Sequence, residues 1–354
     1  MDNDFLKSLV KDLADEHTTI AADGKSSAEF SGTVDTGSYI LNAALSGSIY
    51  GGVPNNKITA FAGESATGKT YFVLGVISQF LKLNPDGAVV YFDTESAVTN
   101  DMLEDRDIDP LKVIKSEPDT IQKFRHNTLR MIDKYLEQDL AERRPFMFVL
   151  DSLGQLSSTK EIEDTAEGSE TRDMTKAQIL KATFRVLNLK LSKAKVPMLI
   201  TNHTYDVVGA YHPTKEMSGG SGLKYSASTI AFLTKKKERD GTEVTGNIIK
   251  VRMHKSRLSR ENRQVEVLLD YNKGLHRYYG LVDLGIKYDV FKKIANRIEV
   301  EDGKKVYAKV MYDNPDDYFT SSVMDKLEEA AQKEYQYGFS EDDVEEIGEE
   351  DSGL

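Results

Sequence analysis

The chain has 354 residues, of which 39% are apolar and none is cysteine, and its formal net charge is −12. That is enough material for one large domain with smaller attachments, and it excludes a disulfide scaffold and a thiolate metal site while suiting a reducing interior. Eight of the acids lie in residues 341–354, "EDDVEEIGEEDSGL", so the remainder carries only −4 and a local basic surface is still open to it.

In chain order, residues 1–20 read as a short amphipathic helix, with Phe5, Leu6, Leu9, Val10 and Leu13 near helical spacing. The stretch is acidic and mixed, so it is not expected to be a signal peptide. No run approaches the roughly 18 apolar residues that span a bilayer, and no membrane partner is expected. Residues 21–38 are rich in Ala, Gly, Ser and Thr and read as a linker, making 1–38 an N-terminal helix and linker. Residues 39–274 alternate short apolar runs with longer helical patterns. The strand candidates are "KITAFAG", "GAVVYFD", "PFMFVLD", "VPMLITN", "TIAFLTK", "NIIKVRM" and "QVEVLLD", and helices are expected at 69–83, 118–141 and 172–194. This pattern predicts an α/β core with a twisted, mostly parallel sheet covered on both faces. Asp240-Gly241 is a hairpin signal and predicts an antiparallel extension. Residues 275–340 read as a small, mostly helical region, and 341–354 as a solvated, disordered acidic tail.

The segment Gly63–Thr70, "GESATGKT", has the spacing G-x-x-x-x-G-K-[ST] between a strand and an apolar helix. The glycines allow the backbone of Gly63, Glu64, Ser65, Ala66, Thr67 and Gly68 to turn its N–H groups toward phosphate oxygens, and the next helix presents its positive end to them. Lys69 then reaches the β- and γ-phosphates, and the Thr70 hydroxyl ligates Mg²⁺. "FMFVLDS" ends a hydrophobic strand in Asp151, where a carboxylate holds Mg²⁺ through water; the alternative is an Asp that caps a helix. "VVYFDTES" places Asp93 and Glu95 just past another strand end, where Glu95 can orient and deprotonate an attacking water, or is simply a solvated loop acid. Together these features predict hydrolysis of a nucleoside triphosphate, with ATP and Mg²⁺ as cofactors.

Two further stretches need an explanation. "HTYDVVGAYHPTKEMSGGSG", His203–Gly222, has no steady apolar period, and a stretch of that length in a compact domain either has a job or is a disordered surface insertion, which its composition also fits. "KVRMHKSRLSRENR", residues 250–263, holds six Lys or Arg against one acid, Glu261. "KKKER", 235–239, reads as a solvated hairpin.

The motifs "LNAALSGSIYGGVPNNKITAFAGESATGKT", "YFDTES", "VLDSLGQL", "LITNHTYD" and "SGGSGLKYSAS" stand in the order and at the spacing found in RecA-type recombinases. The chain resembles that family over about residues 39–290, and within it the UvsX-like recombinases of large tailed bacteriophages, a branch that "NHTY" and "MHKSR" also fit. The resemblance implies a helical filament on single-stranded DNA with ATP between subunits, homologous duplex DNA as a further partner, a single-strand-binding protein and a loader as helpers, and the host cytoplasm as location. It makes 203–222 a DNA-binding loop, with Gly219 and Gly220 letting the backbone approach phosphates, Lys215 and Lys224 adding charge, and Val207, Val208 or Met217 available as a wedge between bases. A first, acid-rich loop is expected at 157–171, with Lys160 its single basic residue, so Arg172, Lys176 and Arg185 on the next helix share the DNA contacts. His203 stands where bacterial members sense the γ-phosphate with glutamine. Lys255 and Arg257 match the pair that reaches across to a neighbour's γ-phosphate, an arginine-finger role. Lys250 and Arg252 fall where the family has a secondary DNA site. Asp101 and Met102 replace the family's adenine-stacking tyrosine, and Tyr278 or Tyr279 of a neighbour is the expected substitute. Phe30 is a candidate polymerisation anchor. Alternatives are a RecA-fold replicative helicase motor, which usually carries a sizeable domain before the core where this sequence has about 38 residues, and a mediator that binds ATP and DNA without exchanging strands.

Overall fold

The computed structural model describes residues 3–13, 18–23, 32–168, 175–206, 215–240, 243–271, 273–301 and 303–338. Phe30, Arg172, Val207, Val208 and the acidic tail lie outside them.

The centre of the molecule is a ten-stranded sheet. Its strands are β1 (Ile58–Gly63), β2 (Ala88–Asp93), β3 (Val113–Ser116), β4 (Phe146–Asp151), β5 (Met198–Asp206), β6 (Lys215–Met217), β7 (Thr229–Asp240), β8 (Glu243–Lys255), β9 (Gln264–Asp270) and β10 (Gly274–Leu275). The spatial order is β10-β9-β8-β7-β1-β5-β4-β2-β3, with β6 paired to β5. From β7 to β3 every neighbour is parallel. The β7–β8–β9–β10 wing and the β5–β6 pair are antiparallel. The expected mostly parallel sheet, its antiparallel wing and its flanking helices are therefore all present. Strand β3 was not expected; its sequence, "VIKS", mixes polar and apolar residues because it is an edge strand with only partial cover.

Strand pleating divides the apolar residues between two cores. Phe61, Val89, Tyr91, Val149, Leu199 and Leu233 face the first core. Ile58, Ala60, Val90, Phe92, Phe148, Leu150 and Ile200 face the second. Helix α1 (Lys69–Leu83) buries Phe72, Val73, Val76, Ile77 and Phe80 in the first core. Helices α2 (Ile121–Glu137) and α3 (Lys176–Ala194) cover the second, through Phe124 and Ile132 of α2 and Phe184, Leu187 and Leu191 of α3. Helix α1 has the expected bounds and stops at Asn84, ahead of Pro85. Thr120 sets the start of α2 by accepting the Lys123 N–H at 3.2 Å.

Two expectations of irregular chain are corrected. The stretch 157–171 contains a helix, Thr159–Ala166, opened by a capping box in which the Ser158 hydroxyl accepts the Glu161 N–H at 3.0 Å and Glu161 accepts the Ser158 N–H at 3.2 Å. The stretch 203–222 is regular at both described ends: β5 runs on to Asp206, pairs with β6, and a short helix follows at Ser221–Ser226.

Beyond the sheet, residues 281–335 contain helices Leu281–Lys287, Ala308–Asp313, Pro315–Tyr318 and Ser321–Tyr335, and also a three-stranded antiparallel sheet at 292–306. Val323, Leu327, Ala331 and Tyr335 belong to the first core together with Leu41 and Leu45 of helix Tyr39–Ser46. Glu334 ties this layer down: it accepts from Tyr288 at 2.7 Å, meets Arg263 at 3.2 Å and pairs with Lys287. Burial pushes its carboxyl up, and these partners outweigh that and hold it below its ordinary value.

Phe148 is fully buried and touches Phe92 and Phe146 at ring-centroid distances of 6.0 and 5.0 Å. Phe148→Ala is expected to lower stability by about 3–5 kcal/mol in urea titration, with the m-value unchanged.

Candidate nucleotide site and basic surfaces

The site forms where parallel strands end. Strands β1, β2, β4 and β5 deliver Gly63, Asp93, Asp151 and His203 to one edge of the sheet, in registers that pair Gly63 with His203 and Asp93 with Asp151. Ligands of open α/β sheets bind at this edge.

The loop Gly63–Gly68 leaves β1 and turns into α1. Ala66 and Gly68 have φ of 57° and 86°, the left-handed geometry that turns consecutive N–H groups inward. At Gly68 a Cβ would also lie 2.7 Å from Leu269 Cδ2, so the glycine is required twice over. Thr67 Oγ1 donates to Glu64 O at 2.9 Å, and Lys69 Nζ donates to Gly63 O at 3.2 Å and Glu64 O at 2.9 Å. The lysine thus lies inside the loop. Burial lowers its pKa, opposed by the charges of Glu95 and Asp151. Lys235 Nζ donates to Ala66 O at 2.7 Å, so the first residue of "KKKER" braces this loop, which corrects its reading as merely solvated.

Asp151 gathers three hydroxyls. Thr70 Oγ1 donates to Oδ2 at 2.8 Å, Tyr91 OH to the same oxygen at 2.7 Å, and Thr201 Oγ1 to Oδ1. Burial, and then the Asp151 charge, raise the Tyr91 phenol well above its ordinary value, so it stays a donor. Asp151 caps no helix by side chain; it faces Thr70. The pair of one hydroxyl and one carboxylate suits Mg²⁺, which takes few protein oxygens and keeps phosphate and water ligands. No cluster of three or more His, Cys, Asp or Glu able to hold a metal occurs among the described residues.

The Asp151–Ser152 peptide is cis. Ser152 Oγ donates to Glu95 Oε1 at 2.7 Å, and His203 Nε2 lies 3.0 Å from the same oxygen. Thr94 locks the Ser152 backbone, accepting its N–H at 2.8 Å and donating to its carbonyl at 2.7 Å. Burial pushes the Glu95 carboxyl up, but the hydrogen bonds from Ser152 and His203 and the Lys69 charge more than offset it and hold the group below its ordinary value. Asp93 serves the turn itself, accepting the N–H groups of Glu95 and Ala97 at 3.2 Å and of Val98 at 3.0 Å. From His203 the network continues: its N–H donates to Asn202 Oδ1 at 2.9 Å, its carbonyl accepts Ser218 N at 3.0 Å, and Asn202 Nδ2 donates to Ser218 O at 2.9 Å.

The remaining basic residues occupy several surfaces. Lys215 pairs with Glu64 of the phosphate loop and with Asp206 at 3.0 Å, and these bonds raise its pKa. Lys215, Lys250 and Arg252 line a cavity of about 380 Å³ together with Thr204 and Phe232. Lys250 lies 3.5 Å from Glu266, and the Arg252 guanidinium sits 5.6 Å from the Phe232 ring centre. Lys176 is paired with Glu161 at 2.9 Å, while Lys160, Arg185 and Lys224 are exposed. Gly219 and Gly220 have φ of 84° and 74° at the start of helix 221–226. Met217, only 7% exposed, is packed in the second core, which removes it as a wedge between bases. Lys255 Nζ donates to Lys224 O at 2.8 Å and Tyr225 O at 3.1 Å, engaging helix 221–226 rather than the phosphate loop of its own chain. Burial, and then Arg257, lower its pKa, and Arg257 is exposed. The Tyr278 ring is engaged within the chain, 4.9 Å from Phe319 and 5.3 Å from Tyr39; Tyr279 lies 5.4 Å from Tyr312.

A family model for the RecA N-terminal domain matches residues 6–276. The chain belongs to the RecA family. A RecA-family relative, the "Recombination and repair protein" of Enterobacteria phage T4, is 31% identical over 258 residues, 73% of this chain and 64% of that protein. The chain thus spans somewhat under two thirds of that relative's length. Two proteins named RecA match with more of their own length covered: that of Malacoplasma penetrans, 26% identical over 263 residues (73% of this chain, 75% of the relative), and that of Agrobacterium fabrum, 28% over 293 residues (80% and 76%). Membership accounts for the RecA-like α/β core and for the phosphate loop at its sheet edge.

Tyr91, Thr94, Ser152, Thr201 and Lys235 were not singled out from the sequence. Ser152 alone left a local trace, as the neighbour of Asp151 in "LDS"; the others act across strands. Because the Glu95 carboxylate is favoured in the fold, its stabilising contribution is full above its ordinary value and is lost as pH falls through the lower folded value. Carbon-13 NMR of the Glu95 carboxyl should therefore show a midpoint below the ordinary glutamate value, and Ser152→Ala should move the midpoint upward. An unmoved midpoint would deny the Ser152–Glu95 bond any effect on that carboxyl.

Proposed function

We propose that this protein is a DNA-dependent ATPase that assembles into a helical filament on single-stranded DNA and exchanges homologous strands, in recombination, repair and recombination-dependent replication. The observation that carries this reading is the hydrogen-bonded chain Ser152–Glu95–His203, which joins the phosphate site to the β5–β6 stem, whose second strand ends at Met217, just before Gly219 and Gly220. Membership of the RecA family and the likeness to a phage recombination and repair protein and to RecA proteins support the same reading.

In this reading the loop Gly63–Gly68 and Lys69 bind the triphosphate, and Thr70 with Asp151 would hold Mg²⁺, which when bound neutralises charge on the β- and γ-oxygens. Glu95, ionised and fixed by Ser152, orients the attacking water and takes its proton. His203 shares the same carboxylate oxygen and relays the state of the site to the β5–β6 stem. Lys255 and Arg257 of an adjacent copy add positive charge at the γ-phosphate, which makes turnover depend on assembly. Tyr278 of that copy would lie near the bound nucleotide. Single-stranded DNA runs along Lys160, Arg172, Lys176, Arg185, Lys215, Lys224 and the Gly219–Gly220 backbone, while Lys250 and Arg252 receive the duplex. A single-strand-binding protein and a loader are the expected helpers, and the host cytoplasm is the expected location.

Incubation with single-stranded circles and homologous linear duplex tests the reading. Joint molecules are the expected product. Unwinding of a forked duplex without joint molecules would assign a helicase motor instead, and neither product would assign a mediator. Lys69→Ala should cut ATP turnover at least about a hundredfold, the scale of losing a charge-stabilising group at a reacting phosphate. Lys255→Ala should reduce turnover much more than affinity for single-stranded DNA, measured by fluorescence anisotropy. Equal loss of both would remove the assignment of Lys255 to the interface.

A further inference from the structure

We propose that Tyr71, braced by Arg106, is the platform on which the nucleobase of the bound nucleotide stacks; the inference rests on the nucleotide reading above. Tyr71 follows Thr70 directly, in the first turn of α1. Its neighbours Phe72, Val73 and Leu74 are fully buried, yet Tyr71 remains 38% exposed. The ring is thus left partly open directly beside the phosphate-binding loop.

Three elements converge around this ring. The guanidinium carbon of Arg106, from the segment after helix Asn100–Glu104, lies 5.0 Å from the Tyr71 ring centre. Arg106 is anchored in turn: Nη2 donates to Tyr271 O at 3.3 Å and Nη1 to Asp105 O at 3.2 Å. Tyr271 follows β9, half-exposed, with its hydroxyl accepting from Asn247 Nδ2 at 3.3 Å. Two residues before it, Leu269 stands against Gly68 of the phosphate loop. Tyr71, Arg106 and Tyr271 therefore lie together beside the phosphate loop, and none of them lines the cavity of Lys215, Lys250 and Arg252. Arg106 Nε is buried and has no hydrogen-bond partner among the described residues.

The chemistry of the ligand follows. A nucleoside whose phosphates fill the loop must extend past it over an exposed side of α1. Met102, half-buried against the first core, offers no ring there. Tyr71 does, and a guanidinium on one part of the ring system fixes it at little entropic cost. Stacking on an aromatic face reads the area of a base more than its hydrogen-bonding edge, so the platform favours purines over pyrimidines and separates adenine from guanine weakly.

Calorimetric titration of the full chain with ATP, GTP, CTP and inorganic tripolyphosphate tests this. ATP and GTP should bind more tightly than CTP. Tyr71→Ala should weaken ATP and GTP about tenfold, the scale of one base–aromatic stack, and remove most of the purine preference while leaving tripolyphosphate affinity unchanged. Tyr71→Phe should retain the preference, and Arg106→Ala should lose part of it. The proposal is overturned if Tyr71→Ala keeps the ATP affinity and the purine preference, or if it loses tripolyphosphate to the same extent, which would mark a distorted loop. If the unaltered protein binds neither ATP nor tripolyphosphate, the nucleotide reading itself falls; if it binds tripolyphosphate as tightly as ATP, only the platform does.

Discussion

One carboxylate organises the centre of this protein. Asp151, at the end of a buried strand, receives hydroxyls from α1, β2 and β5 at once. A carboxylate removed from water must be hydrogen-bonded or it destabilises the fold, so these three donors are as much a condition of stability as of chemistry. By meeting it, Thr70, Tyr91 and Thr201 fix the relative height of three elements, and the phosphate loop inherits its position from them. Glu95 sits one step outward in the same frame, attached through Ser152.

The two faces of the sheet divide the work. On the first-core side lie α1 and the Tyr71–Arg106 pair. On the second-core side lie α2, α3 and helix 221–226. His203 stands where the two sides meet, sharing an oxygen of Glu95 and anchoring the β5–β6 stem through Ser218. Gly154 has to be small here, because a Cβ would come within 2.9 Å of Ser218 Oγ and 3.3 Å of the His203 ring. The contacts Ser152–Glu95–His203–Ser218 thus form one short, close-packed route from the end of β4 to the β5–β6 stem.

How much of this was legible in the sequence depends on the range of each contact. The phosphate loop is a local motif whose spacing states its own geometry; β1, β2, β4, β5 and β7 read directly because both their faces are buried over most of their described length, and β8 and β9 because buried positions alternate with more open ones. Strand β3 was hidden by its edge position, and helix 159–166 by its acidic composition, although Ser158 and Glu161 carried the capping signal. Tyr91, Thr201, Lys235 and Arg106 act on residues 50 to 169 positions away along the chain or, for Arg106 on Tyr71, 35 away, and no spacing rule reaches that far. Membership of the RecA family supplied the order of the parts; side-chain contacts of this chain supplied how they are joined.

The two cores differ in how much of the polypeptide each requires. The second draws on residues from Ile58 to Phe232, whereas the first draws on residues from Val34 to Tyr335 and therefore joins segments about three hundred residues apart into one packing unit. During synthesis, which emits the chain from its amino end, one face of the sheet can be sealed while about a hundred codons are still unread; the other must wait, with Leu41 and Leu45 held open, until the last helix leaves the ribosome. That interval is when the nascent protein is most exposed to chaperones and to sticking to its own copies.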